Sequence, residues 1–157
     1  LTVPSLMEQV EELLQRHRLP PALLELEITE SSILPMAGAI GQVQQLAAMG
    51  LQLALDDFGT GYSSLAVLNR LSIHRIKIDR SFIEHLETRE SARTIVRTAL
   101  AMGRGLGLET LAEGVETAGQ LEVLELLGCD VYQGYWFSRP LELEAFTALL
   151  PRDAAAS

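Results

Sequence analysis

LQLALDDFGTG (residues 51–61) decides the fold. Leu51 to Asp56 read as a strand that runs into two acids and then into a glycine-rich turn, Phe58-Gly59-Thr60-Gly61. Before it, Met36 to Met49 read as a helix with Ile40, Val43 and Leu46 on one stripe, stopped by Gly50. After it, a short helix from Ser63 to Leu71 leads to a second strand at Arg75 to Ile78. The same alternation continues outward. Upstream lie an amphipathic helix, Pro4 to His17, and a strand, Leu23 to Ile28. Downstream follow a helix over Ser91 to Gly105, a strand over Leu108 to Ala112 and a helix over Thr117 to Leu127. A strand at Cys129 to Gln133 and a helix at Glu142 to Leu150 complete the series. Strand alternating with helix predicts an α/β fold of parallel strands covered by helices. Five strands are too few to close an eight-stranded barrel, which takes roughly 250 residues. A small open sheet and the later part of a barrel both fit this pattern.

The chain has 157 residues, enough for one domain with a sizeable core, and no linker divides it. We place that domain at 1–150 and read 151–157 as a small, polar tail. Hydrophobic residues make up 48% and charged residues 21%, which excludes intrinsic disorder. The net charge of −9 makes DNA or an anionic membrane a poor partner, and a phosphate ligand would need bound cations. Cys129 is the single cysteine, so neither an internal disulfide nor a cysteine zinc cage can form. No apolar run approaches the roughly 18 residues of a membrane span, and no signal peptide opens the chain; a cytoplasmic setting is expected.

Each expected strand finishes in polar or charged groups: Glu27 and Glu30, Asp56 and Asp57, Lys77 and Asp79, Glu113 and Glu116, then Gln133. In parallel α/β folds these ends share one rim, where active sites are built. Side chains alternate with period two, so Glu25 and Glu27 share a side, as do Lys77 and Asp79. Any one acid at a strand end can be a helix N-cap, and Lys77 with Asp79 can be a structural ion pair. Acids converging from five strands repel one another unless cations lie among them, and magnesium or manganese suits carboxylate oxygens.

The strings LELEITES (24–31), DDFGTGYSSL (56–65), IKIDRSFI (76–83), AEGVET (112–117) and QGYWFSRP (133–140) resemble an EAL domain, a bacterial cyclic di-GMP phosphodiesterase built on a (β/α)8 barrel. The resemblance implies metal-dependent hydrolysis of cyclic di-GMP to the linear dinucleotide, with two Mg2+ or Mn2+ ions. It implies that Glu27, Asp56 and Asp57 are metal ligands, with Asp56 bridging. Lys77 then stands beside the attacking water and scissile phosphate, Asp79 supports the second metal's water shell, and Glu113 binds metal or activates water. Gln133 lies near that centre, and Arg139 is a candidate phosphate or guanine contact. Glu30 anchors the loop of Gly59 and Gly61, which couples metal binding to dimerisation, so a homodimer is expected. A sensor or cyclase-like (GGDEF) domain is expected upstream, and the parent protein can be membrane-tethered.

The Glu-Ala-Leu motif and the Asn of a following strand are absent, so the chain resembles the C-terminal two-thirds of such a domain, a partial barrel of about five strands. Weak or absent activity of this chain alone is therefore expected. The alternative is a non-catalytic receptor that captures cyclic di-GMP, although receptors of that kind usually lose the catalytic acids retained here. His17, His74 and His85 are all read as surface or structural, with His74 placed where it could cap a strand. Cys129 is expected in the core, Trp136 and Phe137 in a packed rim, and Arg93, Arg97 and Arg104 on a solvated face.

Overall fold

The computed structural model describes residues 3–29, 32, 39–59, 68 and 70–150. Its strands are β1 (Glu25–Thr29), β2 (Gln52–Phe58), β3 (Arg75–Ile78), β4 (Glu109–Glu113) and β5 (Val131–Gln133). Its helices are α1 (Val3–His17), α2 (Ala39–Ala48), α3 (Arg80–Ile83), α4 (Glu90–Leu106), α5 (Ala118–Leu127) and α6 (Leu143–Leu149). The strands form one parallel sheet in the order β1-β2-β3-β4-β5, each pairing with the next in sequence. The order never reverses, so the sheet has no topological switch point of the kind that marks a doubly wound fold. Strands that step always in one direction make the arc of a barrel wall.

Register and alternation sort the side chains onto two faces. Leu53, Leu55, Ile76 and Ile78 lie on the helical face and are fully buried. One cluster there joins Leu53, Leu55 and Ile76 to Val10 and Leu14 of α1 and to Val43 and Leu46 of α2. A second joins Ile78 and Ala112 to Val96, Ala99 and Leu100 of α4 and to Leu124 of α5. On the opposite face the same register aligns Glu27 with Ala54, Ala54 with Arg75, and Glu113 with Gln133. That face is polar in two layers. Near the strand starts, Arg75 bridges Glu25 at 2.8 Å and Glu109 at 2.5 Å. Near the strand ends, the carboxylates surround Lys77.

Several boundaries depart from the sequence reading. Pro20 and Pro21 fix a 3-10 turn at Pro21–Leu23, so β1 begins two residues later than Leu23. Cys129 donates its N–H to Leu124 and so closes the end of α5, which delays β5 to Val131. The expected helix 63–71 falls mostly outside the described residues, although Leu68 and Leu71 are buried in the first cluster. The tail 151–157 also lies outside them. The four-residue α3 was not foreseen.

Candidate active site

β2 pairs Leu55 with Ile76 but then Phe58 with Ile78, three residues against two. This bulge adds one residue and resets the alternation, so Leu55 and Phe58 both face the helices, and Phe58 packs against both apolar clusters. Asp56 and Asp57 lie inside the bulge. Asp57 takes a left-handed conformation, φ 56, which aspartate tolerates better than most residues at a cost of about 1–2 kcal/mol. A backbone irregularity thus sits where the sequence placed two metal ligands.

Lys77 is the centre of the rim. Its side chain is 5% exposed, and Nζ lies 2.5 Å from Glu27, 2.8 Å from Glu113 and 3.1 Å from Asp56. The three acids come from β1, β4 and β2, so four strands meet at one ammonium. Burial alone would lower the ammonium's pKa. Its charged contacts with Glu113, Glu27 and Asp56 outweigh it and hold the group charged well above the ordinary lysine range. Gln133 donates from Nε2 to Glu113 at 2.9 Å and brings β5 into the same network.

Three carboxylates around one ammonium leave two formal negative charges. Asp56 Oδ1 is buried and, despite its ion pair with Lys77, accepts no well-formed hydrogen bond. A carboxylate surplus with one unsatisfied buried oxygen suits a divalent cation in donor type. Among the described residues, however, no three acidic, histidine or cysteine side chains stand together in a cage for an ion. The donors present fit a hard cation in kind and supply part of its shell.

The other site residues divide. Asp79 caps α3 through Oδ1, which accepts from Ser81 N at 3.1 Å and Ser81 Oγ at 2.5 Å, so the structural role open to any strand-end acid is present here. Gly59 closes β2 at φ 99, and a side chain there would come within 2.9 Å of the Phe82 ring. Glu30 and Gly61 lie outside the described residues. Arg139 stacks over Tyr135, 4.6 Å from the ring centroid. It lines a cavity of about 610 Å³ together with Arg80, Glu116, Gln133, Tyr135 and Phe137. Gln133 belongs to both this cavity and the Lys77 network and so joins them. A larger cavity of about 940 Å³, between α1 and α2, contains none of the expected site residues.

Some expectations need correction. Trp136 and Phe137 are 48% and 75% exposed, so they do not form a packed rim. Arg97 and Arg104 are exposed, as expected, whereas Arg93 is half-buried; Arg93 donates to the carbonyls of Leu86 and Glu87, and Arg104 to those of Leu127 and Gly128. His74 does cap, its Nδ1 accepting from Leu53 N at 3.3 Å. The sequence reading missed Arg80, which donates to Glu116 at 2.8 Å; its place directly after the Lys77-Asp79 pair was the available signal.

Fold and site together define a parallel α/β barrel-type domain with an acidic, lysine-centred site at the C-terminal strand ends. The family model described as "EAL domain" matches residues 1–140, and the chain belongs to that family. It is 45% identical over 145 residues to the bifunctional diguanylate cyclase/cyclic di-GMP phosphodiesterase MucR of Pseudomonas aeruginosa, covering 92% of this chain and 21% of that protein. The MucR phosphodiesterase solved as a cyclic di-GMP complex superposes with a TM-score of 0.87 at 44% identity, over 90% of this chain and 57% of that one. The manganese/cyclic di-GMP complex of Klebsiella pneumoniae BlrP1 gives 0.80 at 31% identity, over 87% and 35%. The chain thus spans about a fifth of the length of a curated relative such as MucR.

Proposed function

We propose that this chain carries the catalytic rim of a cyclic di-GMP phosphodiesterase, which opens one ring phosphodiester to give the linear dinucleotide. The observation that carries this is the meeting of Glu27, Asp56 and Glu113 at Lys77, beside a cavity rich in aromatic and arginine side chains. In this reading Glu27, Asp56 and Asp57 hold Mg2+ or Mn2+, which when bound supplies charge neutralisation and an acidified water. The ammonium of Lys77 orients the phosphoryl oxygens and the attacking water. Glu113, oriented by Gln133, takes part in activating that water. Water adds across the scissile P–O bond, its hydroxyl going to phosphorus and its proton to the leaving alkoxide. Gln133 and Arg139 contact the dinucleotide, Asp79 supports the water shell, and Glu30, Gly59 and Gly61 anchor the loop after β2.

The same reading places the domain at 1–150 and expects a homodimer, an upstream sensor or cyclase-like domain and a cytoplasmic setting. Among the described residues no helix is long and apolar enough to cross a membrane. The test is hydrolysis of cyclic di-GMP by the intact protein with Mg2+ or Mn2+. Wild-type turnover that Lys77→Ala and Asp56→Asn abolish is the expected result. Full turnover by either variant overturns the roles, and binding without turnover would make the protein a receptor.

A further inference from the structure

Arg80 stands at the junction of the cavity and the rim and has no part in the Lys77 network. It is the first residue of α3, and the Asp79 cap fixes the direction in which that helix starts. From there Nη2 reaches Glu116 Oε1 at 2.8 Å. Its aliphatic stem lies across Gly114, φ 72, where a Cβ would come within 2.5 Å of Arg80 Cγ. Only a residue without a side chain leaves the stem this path. The backbone of Glu116 is held as well, because Gln120 Oε1 accepts from the N–H groups of Glu116 at 2.7 Å and Thr117 at 3.1 Å. Yet Arg80 is 58% and Glu116 40% exposed, and an ion pair in that setting adds little to stability. A glycine, a helix cap and a buried glutamine converge to orient one exposed carboxylate at the mouth of a cavity.

We propose that Arg80 is a positioning residue, its guanidinium fixing the Glu116 carboxylate at the cavity mouth to accept the paired N–H donors of a guanine base. The inference rests on the cyclic di-GMP reading above. Guanine offers two adjacent N–H donors on one edge, which a carboxylate matches, whereas adenine presents no such pair. Arg80 therefore acts on base discrimination and not on the phosphoryl chemistry.

Calorimetric binding of cyclic di-GMP and cyclic di-AMP to the intact protein tests this. Arg80→Ala should weaken cyclic di-GMP about tenfold, the loss of one charge-assisted hydrogen bond, and leave the cyclic di-AMP affinity within about twofold. Arg80→Lys, which keeps a single charged donor, should recover to within about threefold of wild type. In the double variant with Glu116→Gln, affinity should be no lower than with Glu116→Gln alone, because the two residues form one unit. Melting temperatures should agree within about 2 °C. Unchanged cyclic di-GMP affinity in Arg80→Ala, equal losses for both dinucleotides, or additive losses in the double variant would overturn the proposal. Failure of the wild type to bind cyclic di-GMP would overturn the functional reading itself, and this proposal with it.

Discussion

Lys77 and Asp130 show how single side chains set the pH response. Lys77 is held charged above the ordinary lysine range, so its contribution to stability is fully present below about pH 10.4, the unfolded value, and is lost as pH rises through the folded one. Replacing it with Met leaves three acids facing one another. We expect a loss of about 3 kcal/mol in urea unfolding at neutral pH, flat up to about pH 10 and closing above it. Asp130 shifts the other way. The hydroxyl and N–H of Thr110 donate to its carboxylate at 2.6 and 2.8 Å and hold its pKa below the usual range. Its contribution is present above about pH 3.9 and is lost as pH falls through the folded value. Asp130→Asn should cost about 1 kcal/mol at pH 7, and urea titrations should show the difference shrinking below about pH 4.

Among the elements, those governed by apolar period were legible and those governed by backbone geometry were not. α1, α4 and α5 fall within a residue or so of their expected bounds because Val10, Leu14, Val96, Leu100 and Leu124 mark their buried stripes. The inward direction of Lys77 followed from its place between Ile76 and Ile78. The bulge at Asp56 and Asp57 could not be read, because no composition signal separates an extra strand residue from an ordinary one. Nor could the cap that Asp79 provides, since an acid at a strand end serves a cap or a site equally well. Of the nine strand-end residues marked in the sequence, Glu27, Asp56, Lys77, Glu113 and Gln133 meet in one network, while Asp79 caps α3, Glu116 pairs with Arg80 and Glu30 lies outside the described residues. Arg80 escaped notice because its value depends on Gly114, a residue 34 positions away. Gly114→Ala should strain a left-handed backbone and displace the Arg80 stem, costing more than about 1 kcal/mol by thermal or urea unfolding. Thr117→Ala should cost about 1 kcal/mol as well, since Thr117 caps α5 in a reciprocal pair with Gln120.

For the whole molecule, the unbroken strand order resolves what the alternation of elements left open between an open sheet and a barrel arc. Only long-range pairing contains that information. Mn2+ that binds the rim should raise the melting temperature by several degrees at about 100 times its dissociation constant, and Asp56→Asn should remove most of the rise. A chelator should return the wild type to its metal-free melting point without unfolding it. The reason lies in the charge that Lys77 brings to the acids. A counter-ion bound covalently to the chain cannot diffuse away, so it offsets part of the carboxylates' mutual repulsion whether or not a metal ion is present. On that account the metal-free protein should keep its fold, and a divalent ion should bind and leave without unfolding it.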